Sequence, residues 1–188
     1  MSGSNVLLIG NSSIAKRRVL PALDRLSGIR EISIATSNSS RRETPNDQNI
    51  TKIYDSYENA LSECDAPIVY ISTINGLHEE LATKALDLGR HVIVDKPAFL
   101  SLENSQRLVE KASQQNVLLA EATVFLDHPI YAEIAEISEK SDEFTRVVSV
   151  FSMPPFTEDN FRYHKSMGGG AINDLGPYAA ATSRFFMR

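Results

Sequence analysis

The sequence predicts an α/β protein, a doubly wound parallel sheet followed by the incomplete start of an α+β open-sheet domain. Three observations carry that expectation. Short apolar runs alternate with helical segments along residues 1–121, a glycine closes the first run, and the alternation stops after Glu121. Apolar strands joined by amphipathic helices make a parallel sheet covered on both faces, because each crossover returns the chain through a helix.

Val6 to Ile9 reads as the first strand and ends at Gly10; Ile14, Ala15, Val19, Leu20, Leu23 and Leu26 then share a helical face over residues 14–26. The second strand spans Glu31–Thr36, and the polar run after it has no apolar period and reads as a loop. Residues 50–54 supply a weaker third strand, and residues 56–62 a short helix. Pro67–Ile71 is the fourth strand. A helix over 76–88 follows, with Leu77, Leu81, Ala85 and Leu88 on one face and Gly89 as its stop. His91–Val94 is the fifth strand, Ser101 caps a helix carrying Leu108, Val109 and Ala112, and Val117–Ala120 is the sixth strand. Beyond Glu121 the pattern gives a helix near 128–139, a strand at about 145–152 and a proline-containing loop leading to GGGAINDLGPY, so a second domain is expected over 122–188. Phe185 and Phe186 are left without an evident packing partner.

Composition narrows the function classes. Hydrophobic residues at 42% and charged residues at 23% suit a folded soluble domain, and a net charge of −5 lacks the dense positive field that nucleic acid or an anionic membrane surface requires. No run approaches the ~18 apolar residues of a membrane span. Cys64 is the single cysteine, which excludes an intrachain disulfide and a cysteine-rich zinc site and fits a reducing cytoplasm. The four histidines never fall at i, i+3 or i+4 spacing, and no metal is expected.

Gly10-Asn11-Ser12-Ser13-Ile14-Ala15 has the spacing of a dinucleotide-binding turn, G-x-G-x-x-A, with Ser12 at the second glycine. In that motif the first glycine makes the tight turn, the second lets the backbone approach a pyrophosphate, and the last small residue lets helix and strand pack closely. Ser12 adds a Cβ where the phosphate comes nearest, while its hydroxyl and the helix start, with Ser13 and Ile14, can still donate to an anion. Taken alone, the segment suits any strand–turn–helix unit equally well. The end of the second strand then bears on the cofactor. Binding the ribose 2′-hydroxyl of NAD usually takes an Asp or Glu there, whereas this chain has Ser37 with Arg41 and Arg42 close by, groups suited to a 2′-phosphate. NADP(H) is therefore preferred over NAD(H); a solvated arginine pair is the other reading.

Three further segments fall at strand ends, the edge at which such sheets bind ligands: Ser72, Thr73, Asn75 and His78 after the fourth strand, Asp95-Lys96-Pro97 after the fifth, and Glu121 after the sixth. Considered alone, Asp-Lys-Pro is a turn with a surface lysine. The stretch YISTINGLHEELATKALDLGRHVIVDKPAFLS, however, resembles the core of the glucose-fructose oxidoreductase, inositol dehydrogenase and rhizopine-catabolism family, whose first domain is a Rossmann fold. The family's Glu-Lys-Pro signature corresponds here to Asp95-Lys96-Pro97, with a peptide before the proline that can be cis. Its second signature corresponds to Asp174 and Tyr178 in GGGAINDLGPY, an i, i+4 pair that shares one helix face.

FSMPPFTEDNFRYHKSMGGGAINDLGPY and EATVFLDHP resemble the sugar 3-ketoreductases acting on nucleotide-linked deoxysugars within that family. The resemblance implies an oxidoreductase that reduces the keto group of a sugar or nucleotide-linked sugar. Lys96 and Tyr178 would handle the proton, and Asp174 would orient substrate hydroxyls or hold the lysine. Arg162 and Tyr163 would contact substrate or cofactor, or equally pack their loop. A homo-oligomer is the expected assembly. The residues after Glu121 are too few for the family's second domain, so the expectation is a C-terminally truncated chain; the rival expectation is a catalytically inactive dinucleotide-binding module acting as a sensor or subunit.

Overall fold

The computed structural model describes residues 3–37, 49–139 and 146–187. The chain divides into two compact units, Met1–Glu121 and Ala122–Arg188.

The first unit is a six-stranded sheet of β1 (Ser4–Ile9), β2 (Ile29–Ala35), β3 (Ile50–Tyr54), β4 (Ile68–Ile71), β5 (His91–Asp95) and β6 (Leu119–Ala122), in the order β3-β2-β1-β4-β5-β6. β1 runs parallel to both β2 and β4, so the order reverses direction beside it. As the central strand it is apolar without alternation, with Val6, Leu7, Leu8 and Ile9 all buried. Leu7 and Ile9 pack on one face with Ile71, Leu81, Val92 and Leu108, whereas Leu8 packs on the other with Ala15, Leu20, Ile32 and Ile34. Helices therefore cover both faces, which is the doubly wound arrangement.

The first crossover departs from a regular helix. A π-helical turn, Ala15–Val19, runs into α1 (Leu20–Asp24), and the wider winding rotates the apolar face away from the 3.6-residue period. Ile14 and Leu26, expected on the buried face, are exposed, Leu26 because the helix has already ended. Ser56 caps α2 (Tyr57–Glu63) through the amide of Asn59, and Ser101 caps α4 (Leu102–Gln114) through that of Asn104.

A short 3₁₀ turn, Asn75–Leu77, precedes α3 (His78–Asp87), which closes at Gly89 with φ 68° and a bond from the Arg90 amide to the Ala85 carbonyl. That closure leaves Leu88 outside the buried face on which the sequence placed it. α4 closes the same way at Asn116, φ 54°, where the Val117 amide bonds the Ala112 carbonyl. Val117 is thereby used in the helix end, and β6 begins two residues later than the sequence suggested. Val109 is exposed, since Leu108 and Ala112 define the inward stripe.

In the second unit a 3₁₀ turn, Val124–Asp127, leads to α5 (Pro129–Glu139), and two further turns, Phe161–Tyr163 and Lys165–Met167, precede α6 (Ala171–Phe186). Tyr131 supplies the partner that the sequence did not show for Phe185 and Phe186, with ring centroids at 5.4 and 6.0 Å. The strand expected at about 145–152 is not found among the described residues, and Val148 and Val150 are exposed. Alternation defines a face, but a strand is held by the ladder of a neighbour. No described helix is long and apolar enough to cross a membrane.

Candidate active site

Strand register brings the predicted residues of the first unit to one level. Ile9 pairs with Ile71, and Ile71 with Val94; one step further along each strand are Gly10, Ser72 and Asp95, beside the reversal of strand order where doubly wound sheets bind ligands. Gly10 sits at φ +95°, and a Cβ there would lie 2.3 Å from the Ser72 carbonyl oxygen and 2.9 Å from Thr73 Cγ2. Only glycine fits.

Asp95 is held at both oxygens. Tyr70 Oη donates to Oδ1 at 2.7 Å and Ser72 Oγ to Oδ2 at 2.5 Å. Burial, with the adjacent Asp95 carboxylate, pushes the Tyr70 phenol far above its usual range, so it remains a donor. Ser12 Oγ lies 2.7 Å from Ser72 Oγ and accepts the Ala15 amide at 3.0 Å. The hydroxyl that the sequence offered to an anion is thus engaged inside the protein. Ser13 and Ile14 are exposed at the helix start.

His78 is fully buried, with Nδ1 3.0 Å from the Pro97 carbonyl oxygen and Nε2 3.3 Å from that of Thr73. Its burial lowers the imidazole pKa, and contacts to the Pro97 and Thr73 carbonyls oppose that shift, so a neutral ring donating from Nδ1 to Pro97 is the favoured form. In this state His78 ties the loop after β4 to the loop after β5; it presents no surface to a ligand. Asn75 is buried in the same turn. The Lys96-Pro97 peptide is cis. Lys96, half-buried, is therefore flanked by two anchored neighbours, Asp95 and Pro97. Its ammonium acts on Glu121: loss of water around that carboxyl raises its pKa, and Lys96 draws it back.

At the end of β2, Thr36 is buried and Ser37 Oγ donates to Tyr57 Oη at 3.3 Å. Among the described residues that end this strand, 35–37, none is a carboxylate. Arg41 and Arg42 lie outside the described residues.

In the second unit the glycine run is a packing device. Gly168 takes φ 77° and Gly170 φ 117°, while a Cβ on Gly169 would lie 2.5 Å from the Phe161 carbonyl oxygen and 2.6 Å from that of Arg162. This close approach seats the Phe161–Tyr163 turn against the start of α6. Buried Asp174 accepts Arg162 Nε at 2.9 Å, and the guanidinium lies over the rings of Phe156 and Phe161 at 4.9 and 4.7 Å. Asp174 thus holds an arginine of its own unit. Tyr163 is exposed and its hydroxyl accepts the Phe156 amide at 2.8 Å. One turn after Asp174, the Tyr178 ring packs between Phe151, stacked at 4.2 Å, and Phe125 at 4.8 Å.

Sequence reasoning missed Tyr70 and the aromatic clamps. Tyr70 had a readable signal: it lies two residues before Ser72 on β4, and so on the same face. The contacts of Phe125, Phe151, Phe156 and Phe161 had none, because they depend on how irregular segments fold back.

A parallel sheet in this order, with a glycine turn after its central strand at the reversal point, defines a dinucleotide-binding domain. The chain belongs to the glucose-fructose oxidoreductase, inositol dehydrogenase and rhizopine-catabolism family, an oxidoreductase family with an NAD-binding Rossmann fold, whose model matches residues 4–123. It is similar to a dTDP-3,4-didehydro-2,6-dideoxy-alpha-D-glucose 3-reductase of Saccharopolyspora spinosa, 29% identical over 96% of this chain and 55% of the relative. A D-xylose 1-dehydrogenase (NADP(+)) of Haloferax volcanii is 30% identical over 96% of this chain and 56% of that protein. Among solved structures, KijD10, a 3-ketoreductase from Actinomadura kijaniata in complex with NADP and TDP-benzene, superimposes with a TM-score of 0.88 at 28% identity, covering 99% of this chain and 58% of that one. The chain spans about half the length of the curated relatives it matches.

Proposed function

We propose that this chain acts in the NADP(H)-dependent reduction of a ketone on a sugar carried by a nucleotide, with residues 1–121 as the cofactor domain and 122–188 as part of the substrate domain. The observation that carries the reading is Asp95-Lys96-Pro97, anchored on both sides of Lys96 and level with Gly10 at the reversal of strand order. The residues fit a dinucleotide. Gly10 makes the turn that a side chain would block, Ala15 is buried against the sheet, and the end of β2 offers hydroxyls in place of a carboxylate. NADP(H) is the proposed cofactor, with Arg41 and Arg42 as candidates for its 2′-phosphate, and names among the relatives and solved structures include NADP.

A reduced nicotinamide, when bound, supplies hydride to the ketone carbon. The protein must then neutralise negative charge on the carbonyl oxygen and deliver a proton to it. Lys96 supplies the positive charge and Tyr178 the phenolic proton, general-acid assistance being worth ~10²- to 10⁴-fold. Asp174 acts through Arg162, fixing the turn that leads into the helix bearing Tyr178, and Arg162 with Tyr163 borders the substrate. The nucleotide-linked substrate class is supported by the reductase of Saccharopolyspora spinosa and by KijD10. A reducing cytoplasm, in keeping with a lone buried Cys64, and a homo-oligomer are the proposed setting and assembly.

The test is fluorescence titration with NADPH and NADH, followed by turnover with a nucleotide-linked keto sugar. Micromolar NADPH binding, tighter than NADH, together with ketone reduction supports the reading. Absence of binding below millimolar removes it, and binding without turnover establishes the inactive module instead.

A further inference from the structure

We propose that Ser12 and Ser72 are positioning residues: a two-hydroxyl relay by which the turn after β1 fixes the Asp95-Lys96 segment. The inference rests on the proposed function and adds to it a physical link between cofactor turn and proton-handling loop.

The direction of the relay follows from proton count. Each hydroxyl carries one proton. Ser72 places its proton on Asp95 Oδ2, an acceptor, at 2.5 Å. The 2.7 Å contact between Ser12 Oγ and Ser72 Oγ must then be donated by Ser12. Ser12 in turn accepts from the Ala15 amide at 3.0 Å. The chain therefore runs one way, from the Ala15 N–H through Ser12 and Ser72 to the carboxylate, and Tyr70 completes it at the other oxygen.

Two consequences separate this role from the one a glycine-rich turn suggests. Ser12 cannot donate to a phosphate without releasing Ser72, so its hydroxyl is a structural link and not a cofactor ligand. Asp95 is next to Lys96, and Pro97 is held independently by His78, so breaking the relay leaves Asp95 held by Tyr70 alone and loosens one flank of Lys96 while the other stays in place.

The experiment uses the whole protein with Ser12→Gly, Ser72→Ala and the double variant. Ser12→Gly places the residue usual at that position in the turn, so the backbone can keep its course and leave room for a pyrophosphate, at the cost of the bonds to Ala15 and Ser72. The relay predicts a kcat lower by about tenfold in each single variant, the scale of one lost hydrogen bond. It also predicts NADPH dissociation constants within about twofold of wild type, and a double variant no worse than the weaker single one. Hydrogen exchange gives a readout independent of turnover. Amides of Asp95, Lys96 and Ala98 should exchange faster in Ser12→Gly, although that substitution lies in the turn after β1. Weakened NADPH binding with unchanged kcat would overturn the proposal in favour of a phosphate ligand, and unchanged exchange at Asp95, Lys96 and Ala98 would overturn it whatever the activity. Wild-type protein that neither binds NADPH nor turns over would defeat the functional reading alone, leaving the exchange result to decide the relay.

Discussion

Replacing Gly10 with alanine probes the geometry on which the site is built. The new Cβ would lie 2.3 Å from the Ser72 carbonyl oxygen, 2.6 Å from its carbon and 2.9 Å from Thr73 Cγ2. Two of these atoms are backbone, fixed in place because the Ser72 amide bonds the Ile9 carbonyl at 2.7 Å and the Gly10 amide bonds that of Ala35 at 2.8 Å. No rotamer change relieves the overlap. A φ of +95° costs an L-residue about 1–2 kcal/mol, and forcing β1 and β4 apart costs about 1–3 kcal/mol more. The sum, about 2–5 kcal/mol, corresponds to a melting temperature lower by roughly 5–15 °C for a chain of this size. Thermal unfolding followed by circular dichroism reads the shift. Gly28→Ala is the control, since its Cβ would meet nothing within 4 Å. NADPH affinity should fall at least about tenfold in Gly10→Ala at temperatures where the fold persists. Melting of Gly10→Ala together with Gly28→Ala and wild type would refute the packing argument.

His78 makes stability depend on pH. Because its imidazole pKa is lowered in the folded chain, the unfolded chain takes up the proton first; the stabilisation is complete above about pH 6.5 and declines as pH falls, by up to about 1.4 kcal/mol per unit. Urea midpoints at pH 7.5, 6.5 and 5.5 should show this decline, and His78→Gln should flatten it; parallel slopes would exclude His78 as the source. Asp174→Asn removes the charged partner of Arg162, which keeps partial exposure, so the expected loss is about 1–3 kcal/mol, read as a lower denaturation midpoint. An unchanged midpoint would show that the pair does not hold the turn.

Much of the first unit is legible in the sequence because its signals are local. β1 reads as a buried parallel strand, Ser56 and Ser101 as the starts of helices, and Gly89 as a stop, since each depends on residues within one turn. The level arrangement of Gly10, Ser72 and Asp95 follows from placing three strand ends at one sheet edge. What Ser12 does was not legible, because its partner is sixty positions away in sequence. The same holds for Asp174, whose spacing to Tyr178 suggested a shared substrate face but whose carboxylate holds Arg162. The segment 146–152 failed for a different reason: its pattern specifies two faces and no neighbour.

The most direct measurement of the central claim is steady-state ketone reduction by Lys96→Ala, Tyr178→Phe and the double variant, each first shown to bind NADPH. Tyr178→Phe keeps the ring between Phe125 and Phe151 and removes only the hydroxyl. Turnover should be lower by ~10²- to 10⁴-fold in each single variant, with the double variant little worse, as expected of groups acting on one proton transfer. Wild-type turnover in both single variants would contradict that claim.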